Sequence, residues 1–539
     1  MYLKGVAHKA KGEYQKAYDA LYMAAWDHSY GSAAYYELAL IDCINKDLEE
    51  ALRHLNEALR QNMNHTKALN MKAVVLRHLG NGQEAEAILR DVRSYDMLDM
   101  FAQAELLNYG EDAVQFAELF GGKAENWLDV AYDYMSAGFY EEALELLTAA
   151  KVEYPLIPYV KGYCAHLLGR EAEAKAYVLE AEKMETGYCF PARNDDITTL
   201  NYAMKVNPEG DNAPYYLGCL YYDKFAYEQA IGLWERAISM NPNHAKALRN
   251  LALAYFDKRE DFLSAKMCME MAMENKLDDS RLLMEYEQLL KNMNYSPAHR
   301  ISVYHEHYDL MLNRDDCYLD LLTLYCMVGE YKKAIDMAKD RHFHIYEGGE
   351  GKLTKLHAWM HVLYANQLAA EGKTDEAVKV YEDGIHMPKS YGEAKTFFNQ
   401  ESHIYYYLGE VTGRKEYYEE AAVYKAAVSE LSLFRALALR KLMRFSEAKA
   451  VLDEMLKTAE NQIANCDLRT YYGVGSPSPM PFELDIKKMN LTNGYILKAY
   501  ALLGQGKFNA AEECIQAAEK LDTYDFRIIA YKQIRGTVW

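Results

Sequence analysis

One short stretch of the chain gathers several side chains that could do chemistry, residues 341–352, RHFHIYEGGEGK. Glycine-rich loops can bind phosphate, closely spaced histidines can bind metal, and paired glutamates can act as acid and base. A phosphate-binding P-loop would need glycine at position 346 and serine or threonine at position 353. The chain has Tyr346 and Leu353 there, so the sequence excludes a P-loop.

Histidines are concentrated around this stretch, and two of them have a metal-binding spacing. His357 and His361 are four residues apart on one face of a predicted helix, a spacing that can chelate Zn²⁺. They are therefore the metal candidates of the chain. No H-E-x-x-H motif and no thiolate cluster accompanies them. The sequence favours histidines that pack in a helical core, and it predicts no metal or other cofactor.

The remaining candidate chemistry is acid/base catalysis by paired carboxylates. Glu347 and Glu350 flank two glycines, an arrangement that could place both carboxylates on the wall of a cleft for acid/base chemistry on a sugar. Alternatively, the glycines form a tight turn, and Glu350 caps the next helix or pairs with Lys352. The structural interpretation is favoured because glycine-rich turns are far commoner than active sites. If the stretch is a binding site, its predicted members are Arg341, His342, His344, Tyr346, Glu347, Glu350 and Lys352.

The elements that must position these residues follow an internal repeat. Small or apolar residues recur every 34 positions in four columns: Gly5, Ala39 and Ala73; Ala17, Ala51 and Ala85; Leu21, Leu55 and Leu89; Ala24, Ala58 and Val92. Small residues at fixed positions allow two antiparallel helices to approach closely, and larger residues fill the groove against the next pair. The period predicts an all-α solenoid of stacked helix pairs.

The same signature is fuller in later units. Residues 214–242, PYYLGCLYYDKFAYEQAIGLWERAISMNP, resemble the tetratricopeptide-repeat (TPR) pattern W-x₂-L-G-x₂-Y…A-x₃-F…A…P. Weaker units continue to the C-terminal part of the chain. The resemblance implies a TPR-type α-α superhelix with an extended concave surface.

Three segments interrupt the repeat and suggest its organisation. Residues 184–210 hold a turn at Phe190-Pro191 and one helix, whereas residues 341–357 separate a helix pair ending at about Ala338 from one beginning near Leu356. Residues 459–490 form the longest predicted non-helical insertion, with a proline-rich loop at 471–485. We predict N-terminal units at 1–120, central units at 121–340 and degenerate units at 341–539. Tyr471 and Tyr472 of the loop are further candidate binding residues.

A closer resemblance rests on CFPARNDDITTLNYAMKVNP, on APYYLGCLYYDKFAYEQAIGLWERAI and on YLDLLTLYCMVGEYKKAIDMAKDRHFHIYEGGEGK. These segments resemble a family of bacterial TPR proteins whose longer members carry an N-terminal, mutarotase-like β-sandwich domain of unknown function. The likeness covers roughly residues 120–539. The β-sandwich is absent here, and Ile345-Tyr346 stand where family members often have Pro-Trp.

The composition of the chain limits which ligands and which cellular compartment we predict for it. A formal charge of −20 argues against nucleic acid or an anionic membrane as the main ligand and favours a basic or neutral one. No apolar run approaches the ~18 residues that span a bilayer. Nine scattered cysteines without a C-x-x-C pair predict free thiols in a reducing compartment, and hence a cytoplasmic protein.

Two functions from different classes remain open. The first is a non-catalytic scaffold that binds a protein or peptide in its concave groove, for example a β-sandwich module like the one fused in the longer relatives. The second is half of a carbohydrate-active enzyme, or a glycan-binding protein, that uses residues 341–352. The lack of a specific catalytic motif favours the scaffold.

Overall fold

The computed structural model describes residues 1–275, 278–344, 349–393, 401–423, 427–468, 481–483 and 485–537. Within these residues the chain is all-α, with 31 α-helices and no strand, which confirms the predicted fold class. Its contacts divide it into two compact units, unit 1 (Met1–Ala247) and unit 2 (Leu248–Trp539). The predicted boundaries near residues 120 and 340 stay a prediction.

Unit 1 consists of consecutive helix hairpins with one single helix before its last hairpin. Its helices are α1 (Tyr2–Ala10), α2 (Tyr14–Ala24), α3 (Gly31–Ile44), α4 (Leu48–Gln61), α5 (Thr66–His78), α6 (Gly82–Tyr95), α7 (Met100–Leu106), α8 (Ala113–Phe120), α9 (Ala124–Ser136), α10 (Tyr140–Ala149), α11 (Leu156–Leu167), α12 (Glu171–Ala181), α13 (Asn194–Val206), α14 (Asn212–Asp223) and α15 (Tyr227–Met240). Helix α13 is the single helix predicted for the interruption at 184–210.

Unit 2 also consists largely of helix hairpins. Its helices are α16 (Ala245–Arg259, in this unit from Leu248), α17 (Phe262–Asn275), α18 (Ser280–Asn292), α19 (Pro297–Glu306), α20 (Tyr308–Leu312), α21 (Asp315–Met327), α22 (Tyr331–Asp340), α23 (Lys352–Ala370), α24 (Thr374–Ile385), α25 (Ser402–Thr412), α26 (Lys415–Val423), α27 (Ser432–Lys441), α28 (Phe445–Ala464), α29 (Ile486–Gly504), α30 (Phe508–Leu521) and α31 (Phe526–Ile534). Short 3₁₀ turns occur at Leu107–Tyr109 and Lys389–Tyr391.

The four repeat columns explain why the hairpins close tightly. A Cβ added to Gly5 would lie 2.6 Å from Leu21 Cγ, so only glycine fits at this crossing of α1 and α2. The equivalent Ala39 and Ala73 are completely buried, as are Ala17 and Leu21. The 34-residue spacing therefore marks the contact line between paired helices.

Two predicted boundaries are wrong. Helix α23 begins at Lys352, about one turn before Leu356, because Gly351 adopts a left-handed φ of 75° and starts the helix there. The predicted interruption at 459–490 is too long, since α28 runs to Ala464 and α29 begins at Ile486. Most of the loop at 471–485, including Tyr471 and Tyr472, lies outside the described residues.

No helix in the described part of the chain is both long enough and apolar enough to cross a membrane.

Candidate functional site

The described start of the glycine-rich stretch is tied to helix α21. The Arg341 guanidinium donates to Asp315 Oδ1 at 2.7 Å and to the Leu312 carbonyl at 3.1 Å, and it lies 4.2 Å from the centre of the Tyr318 ring. The backbone N–H of His344 donates to Asp315 Oδ2 at 2.7 Å. Both oxygens of Asp315 are thus used in holding the chain as it leaves α22.

The same stretch is also tied to the 3₁₀ turn at Lys389–Tyr391. Both His342 Nδ1 and the Phe343 N–H lie 2.9 Å from the Ser390 carbonyl oxygen. The Phe343 ring is buried and packs edge-on against Tyr318 and Tyr391. The polar groups of Arg341 and His342 therefore bond to other parts of the protein, which supports a structural role for residues 341–344.

The end of the stretch begins α23. The Gly351 N–H donates to Glu393 Oε1 at 2.6 Å, and Lys352 opens the helix. Two of the predicted site residues, His344 and Lys352, line a large cavity, whereas Glu350 is not among the residues that line it. Tyr346 and Glu347 lie outside the described residues.

The predicted metal candidates lie in the core. His357 and His361 are each 1% exposed, with ring centres 4.2 Å apart. His357 Nδ1 lies 3.0 Å from the Tyr391 hydroxyl, and His361 Nδ1 donates to the His357 carbonyl at 2.7 Å. Burial lowers the pKa of His357 to about 3 and that of His361 to about 4. Across the described residues, no third histidine, cysteine or carboxylate joins them in a metal-binding group.

The most prominent site of unit 2 is the cavity, which has a volume of about 1610 Å³. Six helices supply most of its wall: α16, α18, α21, α23, α29 and α31. On α18 the lining residues are Met284, Glu287, Gln288, Lys291 and Asn292, a spacing that puts them on one helix face. Five of these six helices are the first of a hairpin, and α31 follows the last hairpin.

A buried charge network shapes one wall of the cavity. Arg300, only 2% exposed, donates from Nε to Glu287 Oε2 at 3.0 Å and from Nη2 to Asp320 Oδ2. The Tyr304 hydroxyl donates to the same Asp320 oxygen at 3.1 Å. The network joins α18, α19 and α21 through charge-assisted bonds, which fix the relative positions of these helices.

The two carboxylates of this network share a single guanidinium, but only one of them is buried. Glu287 is 1% exposed, and the Asp320 side chain is 28% exposed. Burial raises the pKa of Glu287 to about 8, with Arg300 opposing the shift and Asp320 adding to it. Burial thus favours the protonated form of Glu287 more than it is favoured in a free carboxyl group.

Two further arginines of the wall are also paired. Arg314 holds Asp316 with bonds of 2.9 and 2.6 Å. Arg527 holds Asp525 with bonds of 3.0 and 2.6 Å and also donates to Asn493 Oδ1 at 2.7 Å. These pairs order the start of α21 and link α31 to α29.

The cavity also contains apolar surface for a ligand to bury. Phe482 packs edge-on against Phe256 with ring centres 4.9 Å apart, and Trp359 lies 6.2 Å from the Phe526 ring. The one thiol of the lining, Cys317, is buried, and burial raises its pKa well above that of a free thiol. That shift leaves little thiolate for nucleophilic chemistry.

Sequence reasoning missed most of this wall. Glu287, Lys291, Arg300 and Asp320 lie on unexceptional amphipathic helices without a motif. The available signal was three charged or polar residues on one face of the first helix of a hairpin, Glu287, Gln288 and Lys291 on α18.

Comparisons with known proteins agree with the repeat architecture. Two tetratricopeptide-repeat family models match the chain, one over residues 44–107 and the other over residues 215–262. The Photosystem I assembly protein Ycf3 of Rippkaea orientalis is 30% identical over 132 residues, which cover 24% of this chain and 72% of that protein.

Solved structures give more distant matches. YrrB, described as a TPR protein with an unusual peptide-binding site, is 15% identical with a TM-score of 0.17 and covers 43% of this chain and 96% of its own. A tetratricopeptide-repeat protein from Parabacteroides merdae is 16% identical with a TM-score of 0.24 and covers 54% of this chain and 98% of its own.

Proposed function

Because the chain belongs to the tetratricopeptide-repeat family, we propose that it is a non-catalytic scaffold that binds a peptide segment of a partner protein in the cavity of unit 2. TPR domains generally act as protein- and peptide-binding scaffolds. The observation that carries the proposal is the size of the cavity. Its volume of about 1610 Å³ exceeds the roughly 300–1,000 Å³ typical of small-molecule pockets.

The composition of the wall supports a peptide. It combines aromatic surfaces, from Trp359 and Phe482 among others, with charged and amide side chains. Binding sites for peptides use apolar anchors for affinity and a few polar groups for specificity. The network around Arg300 holds the wall in place before a ligand binds, which lowers the entropy cost of binding.

A test of this function blocks the cavity without touching the core. Met489 lines the cavity and is 38% exposed, so Met489→Trp places a larger side chain in the cavity space. The purified chain is screened against an array of short synthetic peptides, and hits are titrated by fluorescence anisotropy. We expect hits whose affinity falls at least about tenfold in the variant.

The matched control is Met267→Trp. Met267 is 63% exposed on α17 and does not line the cavity, so binding should be unchanged. Absence of any peptide hit, or equal affinity for Met489→Trp and the unsubstituted chain, would contradict the proposal.

The identity of the partner is a further proposal. The resemblance to longer bacterial proteins suggests a β-sandwich module, and calorimetric titration with such a domain tests it. The predicted cytoplasmic location rests on the nine scattered cysteines, which form no C-x-x-C pair in the sequence. The carbohydrate alternative has less support, because Arg341 and His342 are engaged by protein groups and Glu350 does not line the cavity.

A further inference from the structure

Three helices of unit 1 bring a tyrosine, a histidine and an aspartate into one hydrogen-bonded relay. Asp42 of α3 and His54 of α4 are 4% and 0% exposed, and Asp42 Oδ2 lies 2.6 Å from His54 Nδ1. The other ring nitrogen, His54 Nε2, lies 2.5 Å from the hydroxyl oxygen of Tyr22 on α2. Tyr22 is partly exposed, so the relay leads from the core to the surface.

The neighbours of this relay fix which atoms carry protons. As a carboxylate, Asp42 can only accept hydrogen bonds, so His54 Nδ1 donates to it. Arg53 Nη2 can only donate, and it lies 3.2 Å from His54 Nε2 and 3.2 Å from the Tyr22 hydroxyl oxygen. His54 Nε2 is therefore the unprotonated, accepting nitrogen, and the Tyr22 hydroxyl donates to it.

Two further tyrosines hold the relay in place. The Tyr18 hydroxyl donates to Asp42 Oδ1 at 2.8 Å, so both carboxylate oxygens are engaged. The Tyr35 ring stacks on the His54 ring with centres 5.8 Å apart. The orientation of the imidazole is thus set from two sides, which is what a base needs if it is to accept the proton of Tyr22.

We propose that Tyr22 is a nucleophilic tyrosine that takes an acyl group from an activated ester or thioester, with His54 as its general base and Asp42 as the residue that positions His54. A hydroxyl within hydrogen-bond reach of a base, which a third group orients, is the arrangement of activated nucleophiles in proteins. The reaction modifies the chain once, so this site is separate from the peptide-binding role proposed for unit 2.

The step is balanced by these residues and the acyl donor. The Tyr22 hydroxyl oxygen forms a bond to the carbonyl carbon while its proton passes to His54 Nε2. The bond from that carbon to the leaving group then breaks with its electron pair, and the leaving oxygen or sulfur takes the proton from His54. Arg53 Nη2, beside the hydroxyl oxygen, stabilises the negative charge that develops there. The products are acylated Tyr22 and the free alcohol, phenol or thiol.

The test measures where the purified full chain is acylated. The ester probe is p-nitrophenyl acetate and the thioester probe is S-acetyl-N-acetylcysteamine, and peptide mass spectrometry locates and times the acetylated tyrosines. Tyr188 is the internal reference, because it is 90% exposed whereas Tyr22 is only partly exposed. General-base assistance contributes about 10²–10⁴-fold, so we expect Tyr22 to react at least about 100-fold faster than Tyr188 with one probe or both.

Substitutions separate the roles of the three residues. Tyr22→Phe keeps the ring and should abolish the fast adduct, whereas Tyr95→Phe, at a 54% exposed position of α6, should leave it unchanged. His54→Gln should slow acylation of Tyr22 at least about 100-fold. Asp42→Asn should slow it at least about tenfold, and it should also remove the strongly deshielded Nδ1 proton of His54 from the proton NMR spectrum. Circular dichroism checks that the helices of each variant persist.

Equal acylation rates at Tyr22 and Tyr188 in the unsubstituted chain would overturn the proposal and leave the relay as a structural tie between α2, α3 and α4. An unchanged rate at Tyr22 in folded His54→Gln would overturn the general-base role. The comparison of the two tyrosines requires no change in the core, so it decides the question even if the His54 and Asp42 variants unfold. None of these outcomes depends on whether unit 2 binds a peptide.

Discussion

At the scale of single residues, unit 2 uses histidine as a packing group. His403 is completely buried, and neither ring nitrogen has a hydrogen-bond partner within the described residues. Its ring lies 4.8 Å from Trp359 and 5.7 Å from Phe434. Burial lowers the pKa of His403 to about 3, since the imidazolium would be removed from water without a counter-ion. His403 is therefore neutral in the folded protein.

This burial predicts a loss of stability in mild acid. In the window between the unfolded pKa of 6.5 and the folded pKa of about 3, the unfolded chain binds the extra proton. The free energy of unfolding then falls by about 1.4 kcal/mol for each pH unit of acidification. His403→Leu removes this dependence on pH and one unpartnered polar side chain. The free energy of unfolding of the variant, relative to that of the unsubstituted chain, should therefore rise by about 2 kcal/mol between pH 7 and pH 5.

Urea unfolding at the two pH values, followed by circular dichroism, measures the gain. His299→Leu is the control, because it also replaces a histidine of unit 2 but one whose side chain is exposed. Parallel pH profiles for His403→Leu and the unsubstituted chain would show that His403 titrates normally in the folded protein.

Residue-level prediction depended on a local motif. The glycine-rich stretch directed attention to His344 and Lys352, which do line the cavity. It did not reveal Arg300, whose partners Glu287 and Asp320 lie 13 and 20 residues away on other helices. Nothing in the local sequence encodes that pairing, because it depends on how three helices pack.

At the scale of elements, the hairpin crossing is the most strongly specified feature. In the α14–α15 hairpin, Gly218 faces the Trp234 indole, and an added Cβ would lie 2.5 Å from Trp234 Nε1. The indole cannot easily retreat, because it is buried and its Nε1 donates to the Tyr215 carbonyl at 3.1 Å. Glycine is required here for space rather than for backbone freedom.

Two alanine substitutions in this hairpin should therefore have opposite effects. Gly218→Ala forces the indole or the helices apart and should lower the free energy of unfolding by about 1–3 kcal/mol. Gly232→Ala on α15 meets no atom within 4 Å. It should raise the free energy of unfolding by about 0.5–1 kcal/mol through helix propensity. Urea unfolding of both variants at neutral pH measures the difference, and a stabilising Gly218→Ala would refute the steric explanation.

Element prediction worked because the repeat is local. Residues 34 apart occupy equivalent positions, so the buried columns and helix pairing follow from spacing alone. The ends of elements were less predictable. Gly351 starts α23 one turn early through its left-handed conformation, and α28 continues through Ala464 with no repeat residue to mark it.

At the scale of the whole molecule, the described residues of unit 2 show contacts between segments far apart in the chain. The N–H of Glu483 donates to Asp257 Oδ1 at 2.9 Å, and Glu483 also forms an ion pair with Lys258. Phe482 is 2% exposed against Phe256. These contacts connect residues more than 220 positions apart, and no repeat pattern predicts them. They join α16 to the segment before α29 across the cavity wall.

Phe482→Ala should separate these two segments. Replacing a buried phenylalanine by alanine typically lowers the free energy of unfolding by about 3–5 kcal/mol. Here the lost side chain forms the contact between the first helix of unit 2 and a late segment. We expect backbone hydrogen exchange to accelerate together in the last turn of α16 and the first turn of α29, and peptide affinity to fall because the wall opens. Phe445→Ala is the control, since Phe445 is 56% exposed on α28 and does not line the cavity. Faster exchange in α29 alone would mean that α16 is held by its own hairpin and that the contact does not close the cavity.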